Sequence, residues 1–239
     1  MVQPFRHRLE AMVAQLRAHP RIEVYELVIR PPAAKGDLSA AEDAIGMPLP
    51  ADLRDFYRAH DGIFLLWGLR GEDYDDRPPA FGYPEYGAPP GCINLVPVRE
   101  AMSTHWRDEY HVNEIQPDHQ ELLFGAPLDP PPRVDAVCVD NYSKYHHGDL
   151  ILGPEPVMVV STDHGADMDS SDFCTFSVYL DLVLAKYGTC RYTEGLGIGW
   201  SRSPQRVSAW TRKRSLDDVV IALEGDDDGD DEGDGDDDA

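Results

Sequence analysis

Cysteine is scarce in this sequence, and its distribution excludes the common cysteine-based sites. The four copies, Cys92, Cys138, Cys174 and Cys190, lie far apart in the chain, and no two of them form a C-x-x-C pair. Zinc knuckles and small disulfide frameworks need closely spaced cysteines. We therefore expect reduced thiols, which are the usual state of cysteine in the cytoplasm.

Long hydrophobic runs are also absent. No stretch of about 18 apolar residues occurs, so the sequence predicts no transmembrane helix. The first twenty residues are amphipathic, and they lack the basic end and the apolar block of a secretory signal. Together with the scattered cysteines, this pattern predicts a cytoplasmic protein without a membrane partner.

Basic residues are outnumbered by acidic ones. The chain has 21 Lys and Arg against 44 Asp and Glu, which gives a formal net charge of −23 at pH 7. The segment 224–239 carries 11 of these acidic residues and no basic one, so the rest of the chain still has a charge of −12. Such a field repels nucleic acid and attracts basic proteins or cations, although solubility alone is an alternative explanation. The segment 224–239 itself is too polar to form a core and is predicted to be a disordered acidic tail.

Motifs of the common catalytic sites are missing as well. No G-x-S-x-G elbow occurs, and no cysteine lies in a recognisable active-site context. Gly195, Gly197 and Gly199 begin a dinucleotide-type pattern, but Trp200 stands where the fingerprint needs its third glycine. The sequence therefore predicts no enzyme, no catalytic residue and no cofactor.

The pattern of the first half predicts helices and two strands. Helical spacing over residues 5–16 predicts a first helix, and the partial alternation over 21–30 predicts a strand. Ser39 and Glu42 fit a capping box at the start of a second helix, which should end near Gly46. Two further features follow, a third helix introduced by Pro50 and stopped by Gly62, and a buried apolar strand over 63–67.

The second half predicts short strands followed by a helix. The strands are expected near residues 93–97, 134–140, 148–153 and 156–161, with a short helix after the first of them. A final core helix should begin near Asp172 and end at Gly188, and smaller helices should follow over 204–210 and 215–223. Because strands follow one another without alternating helices, the predicted fold class is α+β, with an antiparallel β-meander flanked by helices.

The histidines and aspartates over residues 146–149 and 163–172 have the composition of a metal site. A hydrolytic metal needs about three ligands that converge on one ion. However, adjacent histidines in a strand point to opposite faces, and the acidic stretch lacks the glycine and closing glutamate of a calcium loop. We therefore predict no bound metal, and solvated charge explains these residues as well. The rival hypothesis is a metal-dependent hydrolase that uses His146, Asp149, Asp163 and His164, with His147, Asp167, Asp169 and Asp172 nearby.

The segment 70–91 is rich in glycine, proline and acidic residues and is predicted to be an exposed loop. Its carboxylates surround a tyrosine, a residue that contributes interface area at low rotamer cost. An acidic face of this kind would complement a basic partner and speed encounter. A solvated loop without a role is the alternative. The predicted partner-binding residues are Trp67, Glu72, Asp73, Tyr74, Asp75 and Asp76.

The order of several short motifs resembles the SUKH superfamily, which includes yeast cell-wall-synthesis regulators and many bacterial toxin-immunity proteins. The motifs comprise a glutamate in a short helix, a small residue, Leu-Pro, an aromatic helix, Asp-Gly and a tryptophan. In this sequence they are Glu42, Ile45–Gly46, Leu49–Pro50, Leu53–Phe56–Tyr57, Asp61–Gly62 and Trp67. The similarity continues at 93–102, 148–153 and 172–188, while the segments 70–91 and 107–133 are longer than the family pattern.

The resemblance implies a binding protein without catalytic residues. The expected SUKH-like domain is 37–190, between an N-terminal helix and strand extension (1–36) and a C-terminal helical extension (191–223), before the tail. The implied function is an immunity protein that neutralises a toxin, typically a nuclease with a basic substrate-binding face. A regulatory scaffold in cell-wall synthesis or signalling is the alternative that the same family implies, and neither requires nucleic acid or a cofactor.

Overall fold

The helices lie mainly in the first half of the chain and at its C-terminal end. The computed structural model describes residues 4–103, 135–144, 146–152, 157–162, 172–190, 199–200 and 212–225. Within these ranges the helices are α1 (Phe5–Ala18), α2 (Lys35–Ile45), α3 (Ala51–Ala59), α4 (Val98–Ala101), α5 (Phe176–Ala185) and α6 (Leu216–Gly225).

The strands form an eight-stranded sheet whose spatial order follows the chain order. Within the same ranges they are β1 (Ile22–Ile29), β2 (Ile63–Leu69), β3 (Gly91–Leu95), β4 (Asp135–Asn141), β5 (His146–Leu152), β6 (Val157–Thr162), β7 (Asp172–Cys174) and β8 (Gly199–Trp200). Neighbours from β1 to β7 pair antiparallel, and β8 joins β7 in parallel. The predicted α+β class and antiparallel meander are confirmed, while the parallel last pair was not predicted.

The helices pack on one face of the sheet in a continuous core. All residues of β2 are buried, as the apolar run predicted. Ile63, Leu65 and Trp67 face the helices, and Phe64 and Leu66 face the opposite side. This alternation follows from the two-residue period of a strand. Both faces of the central strands are therefore covered.

The second face of the sheet is covered by the segment 70–90, which the sequence predicted to be an exposed loop. A smaller cluster of Phe64, Leu66, Cys92 and Tyr142 lies on this face, and Phe81 packs against it together with Tyr25, Val28 and Ala80. Pro78, Pro84 and Pro89 are also buried. The prediction of a wholly exposed loop was wrong, because the proline and aromatic residues of the segment provide the apolar surface that this face needs.

The two predicted extensions contribute to the same core as the rest of the chain. Leu9 and Leu16 of α1 are fully buried, and β1 pairs with β2 along its whole length. From the C-terminal side, Val219 and Val220 of α6 join the same cluster. The predicted domain boundary after residue 36 therefore does not separate two independently packed units.

Two helix starts differ from their predictions. Helix α2 begins at Lys35 after Ala34, so Ser39 lies in its interior and the predicted capping box is wrong. Helix α5 begins at Phe176, where Thr175 Oγ1 accepts a hydrogen bond from Val178 N, and Asp172 belongs to β7 instead. The predicted ends are closer, since α2 stops at the left-handed Gly46 and Gly188 follows α5 with positive φ.

The C-terminal helix takes in the first two residues of the predicted tail. Helix α6 runs through Glu224 to Gly225, so the predicted boundary at 224 was two residues too early. The segment 226–239 lies outside the described residues, as do the predicted helix over 204–210 and the segment 107–133. In the part of the chain that the structure describes, every helix is too short or too polar to cross a membrane.

Candidate functional site

The structure describes only some of the residues that the rival metal hypothesis names. His147 and Asp149 are buried, and their i, i+2 spacing in β5 puts them on one face of the sheet. The side chain of His146 and the residues Asp163 and His164, with Asp167 and Asp169, lie outside the described set. Among the residues that are described, no group of three or more His, Cys, Asp or Glu is arranged to hold an ion.

Cys138 lies beside Asp149 across the β4–β5 ladder and is fully buried. Burial raises the pKa of the Cys138 thiol well above its ordinary value, and the negative charges of Asp149 and Asp140 raise it further. A thiolate is the nucleophilic form of cysteine. Burial and these charges therefore favour the protonated thiol over the nucleophilic thiolate.

Asp140 is a fully buried carboxylate that joins three elements of the core. Its Oδ2 accepts a hydrogen bond from Tyr179 Oη at 2.6 Å, and its Oδ1 accepts one from Asn94 N at 2.8 Å. These contacts connect β4 to α5 and to β3. Sequence reasoning placed Asp140 in a strand but missed this role, because its partners lie 39 and 46 residues away in the chain.

Trp67 was predicted to contact a partner, and this prediction was wrong. Its side chain is fully buried, and its Nε1 donates a hydrogen bond to the carbonyl oxygen of Tyr187 at 2.7 Å. The indole ring lies against Gly91 on β3, where a Cβ atom would clash with it. Trp67 therefore fixes α5 to the sheet and contributes nothing to the surface.

The acidic loop, which we define as residues 72–76, presents most of its carboxylates to solvent. Glu72, Asp73 and Asp75 are exposed, whereas Asp76 is half-buried. These residues follow β2 directly and lie at the start of the segment that covers the second face of the sheet. The structure thus brings the predicted acidic residues together at one end of β2.

Tyr74 anchors the acidic loop to the sheet. Its hydroxyl accepts a hydrogen bond from Leu69 N at 2.9 Å, and its ring lies over Gly68, where a Cβ atom would come within 2.6 Å of the ring. The ring is half-buried and makes an edge contact with Tyr25. Burial raises the pKa of Tyr74. The tyrosine is therefore mainly an anchor, and only its exposed part is available to a partner.

Further contacts hold the far end of the loop. Asp76 Oδ2 accepts a hydrogen bond from Glu85 N at 2.8 Å, and the Cβ of Asp75 packs closely against Gly87. The guanidinium of Arg77 lies 4.3 Å from the centre of the Tyr25 ring, a cation–π distance. Because both ends of the loop are held, its carboxylates project from an ordered backbone.

A fourth exposed carboxylate, Glu23, extends this acidic surface onto the neighbouring strand β1. Burial raises the pKa of the Tyr25 hydroxyl, Arg77 lowers it, and the charges of Glu23 and Glu72 raise it. Both carboxylates are therefore close enough to act on the same ring. Sequence reasoning did not include Glu23, although the partial alternation of β1 places it on the polar side of the strand.

The polar residues of the motifs satisfy backbone donors. Glu42 Oε1 accepts a hydrogen bond from Leu49 N at 3.0 Å and pairs with Arg54, which ties the Leu-Pro segment to α2 and α3. Asp61 Oδ1 accepts one from Val98 N at 3.0 Å, at the start of α4. Asp61 thus satisfies a donor that the start of α4 would leave unpaired, and Glu42 satisfies one in the segment that leads into α3.

Comparison of the chain with protein-family models, curated proteins and solved structures gave no match. The resemblance to the SUKH superfamily therefore rests on the order of the motifs alone and stays a prediction.

Proposed function

We propose that this chain is a non-catalytic protein-binding domain whose acidic surface, formed by Glu23, Glu72, Asp73 and Asp75, binds a basic protein. The single observation that carries the proposal is the position of these exposed carboxylates on a backbone held at both ends. An ordered surface loses less conformational entropy on binding than a mobile loop does, so more of its contact energy appears as affinity.

The charge of the chain supports this choice of partner. The chain is strongly acidic even without its C-terminal segment. A field of this sign steers a basic partner toward the surface and raises the association rate, an effect that salt weakens. A basic toxin domain of the nuclease type fits this chemistry, because its substrate-binding face must itself attract phosphate.

The particular role that we propose is toxin immunity in the cytoplasm, as the SUKH resemblance implies. Glu42 and Asp61, which belong to the resembling motifs, are occupied by backbone contacts, so the motifs build the scaffold and leave the surface for recognition. Immunity requires only that the partner's active face be covered. The proposal therefore needs no catalytic residue in this chain.

The experiment uses the effector domain of a toxin encoded beside this gene. Its affinity is measured by titration calorimetry for the wild type, for the pair Asp73→Lys and Asp75→Lys, and for the control pair Asp43→Lys and Glu100→Lys. All four substituted positions are exposed, and both pairs change the net charge equally. We expect the first pair to weaken binding by about 100-fold and the control pair by no more than about threefold.

Equal losses in the two pairs would show that only net charge matters and would refute the proposed surface. A neighbourhood without a toxin gene would refute the immunity role and favour the regulatory scaffold that the same resemblance implies.

A further inference from the structure

A groove of about 440 Å³ adjoins the far end of the acidic loop, since it is lined by Glu85 and Gly87, which contact Asp76 and Asp75. Its described walls are the segment 85–90, the turn between β4 and β5, the end of α5, and the last two turns of α6. We call it the α6 groove. The function proposed above does not use it.

The α6 groove is lined by basic side chains in a chain that is otherwise acidic. Lys144, Lys186 and Arg214 all border it. Lys144 is neutralised by Glu85, whose Oε2 lies 2.6 Å from the Lys144 Nζ. Neither Lys186 nor Arg214 forms an ion pair with any described residue. Within the described residues the groove therefore contains two cations that form no ion pair.

Lys186 is a buried cation, unlike the charged residues of an ordinary surface patch. The residue is only 7% exposed, and its side chain borders the cavity. A buried ammonium group is costly unless an anion compensates it. Consistent with this, burial lowers the pKa of Lys186 and the nearby charge of Arg214 lowers it further. Among the described residues that line the groove, Glu85 is the one acid, and it pairs with Lys144.

The chain itself provides an anion beside the groove. Val219, Ala222 and Leu223 of α6 form one wall, and the helix ends at Gly225. The next fourteen residues, 226–239, contain ten Asp or Glu and no basic residue. Fourteen residues can span at most about 50 Å, which is far longer than this groove, so several carboxylates can reach it at once.

We propose that the α6 groove binds the chain's own acidic segment 226–239, whose carboxylates pair with Lys186 and Arg214. Because the segment is tethered at the rim, its effective concentration in the groove is on the order of millimolar, so weak individual contacts suffice. The bound segment would compete with other acidic ligands for the same two cations. It also neutralises cations that would repel a basic partner.

The first test adds a fluorescein-labelled peptide of residues 226–239 to full-length protein and follows anisotropy at low salt. In one variant every acidic residue of 226–239 is replaced by Ser, which leaves the groove open. We expect the peptide to bind this open variant at least about tenfold more tightly than wild type, because the native segment competes in wild type.

The same peptide tests the contribution of Arg214. In the open variant, Arg214→Gln should weaken binding about tenfold and Lys213→Gln should leave it unchanged. Lys213 is a matched control, since it is exposed and adjacent in sequence but contacts Gln15 and the Tyr187 ring outside the groove. Equal binding to wild type and open variant, or no loss in Arg214→Gln, would overturn the proposal. A groove that binds inorganic phosphate but not the peptide would also overturn it.

A second test uses Cys190, an exposed thiol that lines the groove. In full-length protein carrying Asp231→Cys, mild oxidation should form an intramolecular disulfide between residues 190 and 231. The rate should fall severalfold in Arg214→Gln and stay unchanged in Lys213→Gln. Equal rates in the two variants would show that the segment meets Cys190 by random motion of a tether, and the proposal would be refuted.

Discussion

His60 is a titratable side chain in an apolar setting at the end of α3. It is 8% exposed, and its ring makes an edge contact with Phe56. Burial lowers the pKa of His60, and the charge of Arg6 lowers it further, while Glu10 opposes them. The imidazole is therefore neutral in the folded chain at neutral pH, and it fills a core position as an aromatic ring.

Acid should destabilise the fold through this residue. In the unfolded chain His60 titrates near its ordinary value of 6.5, whereas in the folded chain it takes up a proton only at lower pH. Protonation therefore favours the unfolded state once the pH falls below about 6.5. We expect the free energy of unfolding of the wild type, measured by urea denaturation, to fall between pH 7.5 and pH 5 by more than that of His60→Gln. Parallel pH profiles would contradict this assignment.

At the scale of single residues the sequence could predict the exposure of isolated carboxylates, but not the burial of side chains whose partners lie far away in the chain. The exposure of Glu72 and Asp73 follows from composition, since isolated carboxylates are rarely buried. The burial of Trp67 does not, because its hydrogen-bond acceptor on Tyr187 is 120 residues away. The same limit applies to Glu42, which fits a local capping pattern and instead contacts Leu49 and Arg54 beyond its own helix.

At the scale of elements, the ladder between β3 and β4 has the shortest register in the sheet that the structure describes. The register there contains one pair, Leu95 with Asp140, and the buried carboxylate of Asp140 adds the bonds to Asn94 and Tyr179. The Asp140 side chain thus strengthens a junction where the backbone ladder pairs only one residue of each strand.

Removal of the Tyr179 hydroxyl should loosen this junction. Tyr179→Phe takes one donor from a buried carboxylate, which costs about 1–3 kcal/mol in the free energy of unfolding. Hydrogen exchange of the Asn94 amide should accelerate more than that of Leu65 on β2, which serves as the internal control. Uniform acceleration at both amides would show that the loss is global and that the junction has no special dependence on Tyr179.

The bounds of elements could be predicted where the chemistry is local. Helix α3 follows Pro50, and its buried Leu53, Phe56 and Tyr57 lie at helical spacing. The packing of segment 70–90 could not be predicted in this way. Its glycine, proline and acidic content is typical of loops, and only the apolar surface around Phe64 explains why it covers the sheet.

At the scale of the whole molecule, the N-terminal helix α1 is an integral part of the hydrophobic core. Leu9, Met12, Val13 and Leu16 of α1 enter the core that all the helices share. Arg8 on the same helix pairs with Asp181 on α5, which joins the N-terminal helix to a core helix from the second half of the chain. Segments that lie outside the family resemblance are therefore needed to complete the structure that carries the acidic surface.

A core substitution in α1 should therefore destabilise the whole protein. Leu16 is fully buried, so Leu16→Ala should lower the free energy of unfolding by about 2–5 kcal/mol. The adjacent Arg17 is exposed, and Arg17→Ala should change it by less than about 0.5 kcal/mol. Urea denaturation followed by tryptophan fluorescence reports on the sheet through Trp67. An unchanged midpoint in Leu16→Ala would mean that α1 is a detachable appendage.

The strands lie in the sheet in the same order as in the chain, so the strands form the scaffold and the connections between them contribute surface. Antiparallel neighbours such as β2 and β3 can be joined by a two-residue hairpin, yet here about twenty residues join them. Each doubling of such a connection costs only about 0.6 kcal/mol in closure entropy and disturbs no pairing. The long connection between β2 and β3 therefore leaves the strand pairing intact while it provides both the apolar cover of the second face and the exposed carboxylates of the acidic loop.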